Sequence, residues 1–143
     1  MEDALMRVYN QELVALSAQA EQPRHLGKAD ISAKAVSPIC GSEVKVEFML
    51  QDNKVIDFGY EVEACALTRA VIAVMKTAVL GKTRQDIRRA GEELRSMLEG
   101  GEPPGGDWAG LKILAPVRDY KARHNSILLP FEAAEKSFQA RDL

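Results

Sequence analysis

The chain has 143 residues, 46% of them hydrophobic and 28% charged, which is typical of a globular protein and not of a disordered or membrane-embedded one. That length is sufficient to bury a core without disulfides or a structural metal, and we expect one domain over residues 1–143. The 19 basic and 21 acidic residues give a net charge of -2, and the sequence has neither a lysine-rich tract nor an aromatic platform, which argues against nucleic-acid binding.

The first residues of the sequence and the number of cysteines indicate the cellular compartment. Residues 1–4 are acidic where a secretory signal carries positive charge, and no apolar run approaches membrane-spanning length. We therefore expect a cytoplasmic protein that does not bind membranes. In a reducing compartment the two cysteines are more readily free thiols or ligands than a disulfide.

Apolar residues occur at helical spacing in the first part of the chain, and they alternate with polar residues after it. An amphipathic helix is predicted from Leu5, Tyr9, Leu13 and Leu16, and it stops at the turn of residues 23–27. Three half-buried strands are then predicted, with inward positions at Ile31, Ala33 and Ala35, at Val44, Val46, Phe48 and Leu50, and at Ile56, Phe58, Tyr60 and Val62. A polar turn at residues 51–54 separates the last two strands. The pattern predicts a three-stranded antiparallel meander with one wet face and one face covered by helices.

The second half of the chain is predicted to be helical, which makes the fold class α+β. One apolar stripe consists of Leu67, Val71, Val74, Met75, Ala78 and Val79, and a second consists of Ile87, Ala90, Leu94, Met97 and Leu98. Gly81 is placed to end the first helix, and Thr83 with Asp86 is placed to cap the second. A glycine- and proline-rich surface loop follows over residues 99–107. In the last helix Pro130 is comfortable only within the first turn, so the helix either starts close to Ile127 or kinks.

Cys65 is the most informative residue, because it stands where the third strand pattern gives way to a helical one. A cysteine there meets unpaired amides and partial positive charge at a helix N-terminus, which favour the thiolate that binds metals and accepts sulfur. Cys40 lies in the turn-forming stretch of residues 37–42, also at an element boundary. The alternative for both is that they are small buried hydrophobic residues.

A third ligand would be needed for a metal site, and the two histidines are the candidates. His25 is more easily explained as a structural turn residue. His124 lies at the boundary before the last helix, where it is either a ligand or a capping or surface residue. The long separations among Cys40, Cys65 and His124 match no compact zinc-finger spacing, so any site must be assembled by the fold.

Four short motifs together carry a resemblance to a known family. They are residues 23–27 (Pro-Arg-His-Leu-Gly), residues 37–41 (Ser-Pro-Ile-Cys-Gly), residues 63–67 (Glu-Ala-Cys-Ala-Leu), and Pro-Val at residues 116–117 with Arg-His-Asn-Ser-Ile-Leu at residues 123–128. In this order the chain resembles the NifU-like family of iron-sulfur cluster assembly scaffolds, which includes the IscU and SufU proteins. The resemblance covers nearly the whole chain and implies that three cysteines and an aspartate hold a nascent cluster or a zinc ion, with sulfur supplied by a cysteine desulfurase.

The chain departs from the family pattern at two positions. The first two family cysteines match Cys40 and Cys65, but Ser42 stands where the family has aspartate. Glu43 is one step further along a strand and therefore points to the opposite face. Asn125 stands at the third cysteine position, next to His124 at the family histidine.

Three interpretations remain open from the sequence. The first is a scaffold or carrier, not an enzyme, that binds iron and sulfide through Cys40, Cys65 and His124 and passes the cluster to recipient apo-proteins, with Asp119 or Asn125 as weaker contributors. The second is a zinc-dependent, SufU-like partner of a cysteine desulfurase, in which Cys65 accepts persulfide sulfur. The third is a metal-free interaction module that keeps the fold.

Overall fold

A three-stranded sheet and a set of helices make up the part of the chain that the computed structural model describes, residues 10–38 and 41–141. The elements are α1 (Gln11–Ala18), β1 (Ile31–Val36), β2 (Glu43–Gln51), β3 (Lys54–Glu63), α2 (Ala66–Ala78), α3 (Arg84–Leu98) and α4 (His124–Ala140), with 3-10 helix over Gly106–Asp119 and Lys121–Arg123. The predicted α+β class is confirmed. None of the helices in these residues is long and apolar enough to cross a membrane.

The sheet is the antiparallel meander predicted from the sequence, with strand order β1-β2-β3. Val44 pairs with Val62, and Phe48 pairs with Phe58, so inward-facing residues of neighbouring strands lie side by side. Helix α4 packs against β1 and β2, and the ring of Phe138 on α4 lies 5.4 Å from the ring of Phe48. The core therefore lies between one face of the sheet and the helices.

One inward position of the third strand was predicted wrongly. Ile56 is 49% exposed, whereas Val55 is 1% exposed. Pairing passes from Met49 with Asp57 to Leu50 with Val55, so Ile56 is an extra residue in β3. Such a bulge reverses the in-and-out alternation on one side of it, and this puts Val55 in the core in place of Ile56.

The segment between α1 and β1 covers the outer edge of β3. The backbone of Arg24 exchanges two hydrogen bonds with Tyr60, and its guanidinium donates to Asp57 Oδ1 at 2.7 Å. That hydrogen bond holds the pKa of Asp57 below its usual value. Gly59 permits the approach, because a Cβ there would lie 2.7 Å from the Arg24 carbonyl oxygen. Covering the edge keeps its backbone groups from pairing with another chain.

Helices α2 and α3 begin and pack as the sequence predicts. All members of both apolar stripes are buried. Thr83 caps α3 through a reciprocal pair in which its Oγ1 accepts from the Asp86 amide and the Asp86 carboxylate accepts from the Thr83 amide. The hydrogen bond from the Thr83 amide to the carboxylate lowers the pKa of Asp86 from its usual value. In the first helix, Leu5 and Tyr9 lie outside the described residues, and Asn10 caps α1 at Gln11.

The last helix begins at His124 and contains Pro130. Of the two alternatives predicted for this proline, a helix start close to Ile127 is wrong by three residues, and a kink stays a prediction. Proline has no N–H for the carbonyl four residues earlier, which here belongs to Ser126. That carbonyl accepts a hydrogen bond from Thr68 Oγ1 at 3.0 Å instead. A side chain of α2 thus compensates for a proline beyond the first turn of α4.

Candidate metal and sulfur site

Cys65 is the N-cap residue of α2, two residues after the end of β3, as the sequence predicts. Its φ of -72° and ψ of 172° are extended, and its side chain makes no hydrogen bond to the amides of its own helix. The residue is half-buried, and its Sγ lies 3.7 Å from Thr68 Oγ1. The sulfur is thus held near the surface at a helix N-terminus.

The backbone that leads into Cys65 is held by Arg69. Its guanidinium donates to the carbonyl oxygens of Val62 at 3.0 Å and Ala20 at 3.2 Å, and its Nε donates to that of Ala64 at 3.3 Å. These bonds tie the end of β3, the start of α2 and the segment after α1 to one side chain. The junction that carries the sulfur is therefore fixed by charge-assisted hydrogen bonds.

A surface depression of about 310 Å³ contains Cys65. It is lined by Gly41, Ser42, Glu63, Ala64, Cys65, Arg123 and Ser126. These residues come from three separate parts of the chain, namely the loop before β2, the β3–α2 junction and the start of α4. The lining residues include one acidic and one basic residue, Glu63 and Arg123.

Cys40 lies outside the described residues, between Pro38 and Gly41. The loop around it is closed by two backbone hydrogen bonds, from the Ser37 amide to the Ser42 carbonyl at 2.8 Å and from the Gly41 amide to the Ser37 carbonyl at 2.9 Å. Gly41 has φ of +73°, a conformation that favours glycine. Gly41 and Ser42 both line the depression that contains Cys65.

His124 is half-buried, and its Nε2 lies 3.0 Å from the Val117 carbonyl oxygen. A carbonyl only accepts, so Nε2 carries the proton and Nδ1 has the lone pair. Its neighbours Arg123 and Ser126 line the depression, whereas the His124 ring does not. Within residues 10–38 and 41–141, no three His, Cys, Asp or Glu side chains lie close enough together to hold a metal ion.

The other candidates from the sequence lie in different environments. Ser42, at the family's aspartate position, is 8% exposed and lies in the depression. Glu43 lies on the outer face of the sheet, as expected from the strand alternation, and its Oε2 is 3.7 Å from Lys34 Nζ. Asn125 and Asp119 are exposed.

His25 lies away from the depression. Its Nδ1 is 3.7 Å from Glu47 Oε1, in the segment that covers the edge of β3. The neighbouring Leu26 amide also contacts the Glu47 carboxylate, at 3.4 Å. These contacts agree with a structural role for His25 in the turn.

Sequence reasoning missed three residues around Cys65. Glu63 could have been found, because it ends the strand that leads to Cys65. Thr68 gave a weaker signal: it has a hydroxyl and lies three residues after Cys65, the spacing at which a side chain in the first turn of a helix lies close to the N-cap residue. Arg123 is part of the motif at residues 123–128, but its proximity to Cys65 gave no sequence signal, because only the packing of α4 brings it to the depression.

The arrangement of sheet and helices is similar to that of a NifU-like protein of known structure. The N-terminal part of a nitrogen-fixing NifU-like protein from Brucella abortus is similar with a TM-score of 0.89 and 38% identity, over 95% of each chain. An iron-sulfur cluster assembly scaffold assigned to the SUF system of Fervidobacterium islandicum AW-1 shares the fold, with a TM-score of 0.82 and 23% identity over 92% of this chain and 96% of that one.

Sequence comparison leads to the same class. The model of the NifU-like N terminal domain matches residues 9–126, and the chain therefore belongs to this family. The iron-sulfur cluster assembly scaffold protein IscU of Streptococcus pyogenes serotype M1 is 22% identical over 140 residues, which cover 95% of this chain and 87% of that protein. The family resemblance seen in the motifs is confirmed.

Proposed function

We propose that this chain is an iron-sulfur cluster assembly scaffold or carrier, which binds a nascent cluster and passes it to recipient apo-proteins. Its family membership and its likeness to the streptococcal scaffold support the general role. The cluster is the cargo of such a protein, and Cys40, Cys65 and His124 are its proposed ligands.

One observation carries the assignment of the site. The depression at Cys65 is also lined by Gly41, which follows Cys40 in the sequence, and by Arg123, which precedes His124. Consecutive Cα atoms are about 3.8 Å apart, so the segments that carry all three proposed ligands reach one surface depression. A site assembled by the fold requires that chain segments far apart in the sequence come together in this way.

The proposed ligand set suits a cluster that is bound and then released. Thiolates are the usual ligands of iron-sulfur clusters and also bind zinc, and imidazole replaces cysteine on one iron in some two-iron centres. With Asn125 at the third cysteine position, this chain has one thiolate fewer than its family pattern. A cluster held by fewer thiolates is more labile, which favours transfer over storage.

The hydrogen bond of His124 is consistent with its proposed role. A histidine ligand usually donates its second ring N–H to a carbonyl or carboxylate, which fixes the tautomer and the ring orientation. The Val117 carbonyl accepts from Nε2 at 3.0 Å, so Nδ1 is the nitrogen that would bind metal. Binding requires the ring to reach the depression that its neighbours already line.

A cysteine desulfurase is the proposed source of sulfur, and Cys65 is the proposed acceptor. The thiolate of Cys65 attacks the outer sulfur of the enzyme's persulfide, the S–S bond to the enzyme breaks, and the enzyme's cysteine leaves as thiolate. The product is a persulfide on Cys65. The half-buried position of Cys65 Sγ in a surface depression supports this step.

Anaerobic reconstitution tests the proposed function. The purified chain is incubated with ferrous iron, sulfide and a thiol reductant, then desalted and measured for metal, sulfide and visible absorbance. A scaffold retains iron and sulfide and shows sulfur-to-iron charge-transfer bands, and a Cys65→Ser variant loses both. A chain that holds about one zinc and no iron supports the sulfur-acceptor alternative. A chain that retains neither metal is an interaction module, and the proposed function is then wrong.

A further inference from the structure

Thr68 connects the two helices whose N-termini carry proposed ligands. It lies three residues after Cys65 in the first turn of α2 and is 0% exposed. Its Oγ1 lies 3.7 Å from Cys65 Sγ and 3.0 Å from the carbonyl oxygen of Ser126, two residues after His124 on α4. One buried hydroxyl therefore touches both sides of the depression.

The direction of these two hydrogen bonds follows from counting protons. A threonine hydroxyl has one proton and accepts through its lone pairs, whereas a carbonyl oxygen only accepts. Thr68 must therefore give its proton to the Ser126 carbonyl. Towards Cys65 it presents lone pairs, so the contact at 3.7 Å is a hydrogen bond from the Cys65 S–H to Thr68 Oγ1.

Pro130 explains why a carbonyl inside α4 accepts a bond from α2. In a regular helix the amide of residue 130 would donate to the carbonyl of residue 126, but proline has no N–H and cannot do so. Thr68 supplies a donor at that carbonyl. Pro130 is thus related to Cys65 through the Ser126 carbonyl, four residues before the proline, and through Thr68, which contacts both Ser126 and Cys65.

We propose that Thr68 is a positioning residue for Cys65, and that Pro130 fixes the direction of its hydroxyl. The Thr68 hydroxyl sets the Cys65 sulfur against the first turn of α4, where His124 lies. The relevance of this contact to a metal or cluster site rests on the proposed function. The contact itself does not, and it is testable on the metal-free chain.

Alkylation of the metal-free full chain tests the contact directly. Iodoacetamide is added at one fixed pH, and modification is followed by mass spectrometry of tryptic peptides 35–45 and 55–69, which report Cys40 and Cys65 separately. Thr68→Val removes the acceptor of the Cys65 S–H at nearly constant volume. We expect Cys65 to react about threefold to tenfold faster, the factor that corresponds to one lost hydrogen bond.

Two control variants separate positioning from general loosening. Thr68→Ser keeps a hydroxyl and should restore the wild-type rate at Cys65. Ser137→Ala removes another fully buried hydroxyl, which bonds the Ala134 carbonyl within α4, and should leave the Cys65 rate unchanged. An unchanged rate in Thr68→Val, or no rescue by serine, would overturn the proposal.

Pro130→Ala tests whether Pro130 fixes the direction of the Thr68 hydroxyl, and it does so without removing a side-chain hydrogen bond. The new amide competes for the Ser126 carbonyl, which weakens the hold of Thr68, so Cys65 should react faster than in the wild type. In the Thr68→Val background the same change should have no further effect, because effects that act through one contact are not additive. An equal effect in both backgrounds, or none in either, would show that Pro130 does not act through Thr68.

Zinc affinity, measured by competition with a chromophoric chelator, distinguishes failure of this proposal from failure of the proposed function. Zinc binds the Cys65 thiolate, which has no proton to donate to Thr68, so zinc binding breaks this hydrogen bond. We therefore expect Thr68→Val to bind zinc about threefold to tenfold more tightly than the wild type, with the wild-type affinity restored in Thr68→Ser. If the wild type binds no zinc or iron while the alkylation results hold, the proposed function is wrong and the positioning role stands. If metal binds with the same affinity in Thr68→Val, the positioning role is wrong.

Discussion

Cys65 combines a rigid backbone with a half-covered sulfur, and this combination makes it suitable for sulfur and metal chemistry. Arg69 donates to the carbonyls of Val62 and Ala64, so the backbone that leads into Cys65 is held without help from the Cys65 side chain. Cys65 lines the depression, and its Sγ lies 3.7 Å from Thr68 Oγ1. The half-buried side chain packs against the core and also lines the depression, so a ligand can approach Cys65 from the open side.

Replacement of Cys65 by serine should therefore abolish metal and cluster binding while the protein still unfolds cooperatively. Serine has a similar size, and a half-buried position tolerates the exchange with a change in stability of about 1 kcal/mol or less. Iron and zinc content after reconstitution and a urea denaturation curve check the two halves of this prediction. Retention of the wild-type metal content in the variant would refute the assignment of Cys65.

The variant His124→Ala should bind metal more weakly than the wild type, because it removes the proposed nitrogen ligand and the ring that Val117 orients. Loss of one of three ligands is expected to lower zinc affinity at least 10-fold. His25→Ala is the matched control, since its ring lies beside Glu47 in the edge segment and should not affect binding. Equal affinity in wild type and His124→Ala would mean that solvent or Asn125 fills the third position.

At the residue level, the sequence predicted what a local pattern encodes. Cys65 was identified because a change of period marks a strand-to-helix junction, and the structure confirms that position. The roles of Thr68 and Arg123 were not predicted, because both depend on how α4 packs against the β3–α2 junction. A one-dimensional pattern does not contain that packing.

Helix α3 shows how well caps and stripes can be predicted at the level of elements. The Thr83 and Asp86 pair was identified from spacing alone, and both reciprocal hydrogen bonds are present. In contrast, the bulge at Ile56 was missed, since the strand sequence alternates regularly through it and only the pairing with β2 reveals the extra residue. Of the two alternatives predicted for Pro130, a helix start near Ile127 was wrong, because Thr68 compensates for this proline from another helix.

Removal of the α3 cap gives a prediction at this scale. Thr83→Ala removes the oxygen that accepts from the Asp86 amide, and we expect a loss of about 1 kcal/mol in the free energy of unfolding. Thr83→Ser keeps the acceptor and should stay close to the wild type. Urea denaturation of the three proteins measures the difference. A Thr83→Ala variant as stable as the wild type would show that the cap contributes nothing to global stability.

At the scale of the whole molecule, carboxylates join elements that are distant in sequence. Glu135 on α4 accepts from Arg84 and Arg88 on α3. Burial raises the pKa of Glu135, but the hydrogen bonds and charges of the two arginines outweigh burial and lower it from its usual 4.5. Asp57 likewise has a lowered pKa because Arg24 binds it between the edge segment and β3.

These lowered pKa values determine how stability depends on pH. A carboxylate with a lower pKa in the folded state binds fewer protons there than in the unfolded chain. Its contribution to the free energy of unfolding is complete when the pH is above its pKa in the unfolded chain. That contribution is lost as the pH falls through its pKa in the folded state. We expect the free energy of unfolding to fall below about pH 5 and to continue falling below pH 4.

The variant Glu135→Gln should have a shallower acid dependence than the wild type, because it removes one of these groups. Glu132→Gln is the control on the same helix, since its exposed pair with Lys136 at 3.6 Å contributes little to stability. Urea denaturation at pH 7, 5, 4 and 3 measures all three proteins. Parallel curves for wild type and Glu135→Gln would contradict the role of this ion pair in acid stability.

The site is also a property of the whole molecule. Loop, strand-helix junction and α4 meet at one depression only after the sheet and helices have packed, so spacing in the sequence could not predict their proximity. The motif resemblance provided that information indirectly, through a family whose match to residues 9–126 is confirmed. Which side chains bind metal is still a proposal.

Anomalous diffraction from crystals of the metal-loaded chain, measured at the iron and zinc absorption edges, tests the central claim most directly. The proposed site predicts one anomalous peak per site, about 2.3 Å from the sulfurs of Cys65 and Cys40 for a zinc ion, with the His124 ring turned towards it. A peak elsewhere, or two sulfurs too far apart to bind the same ion or cluster, would contradict the account.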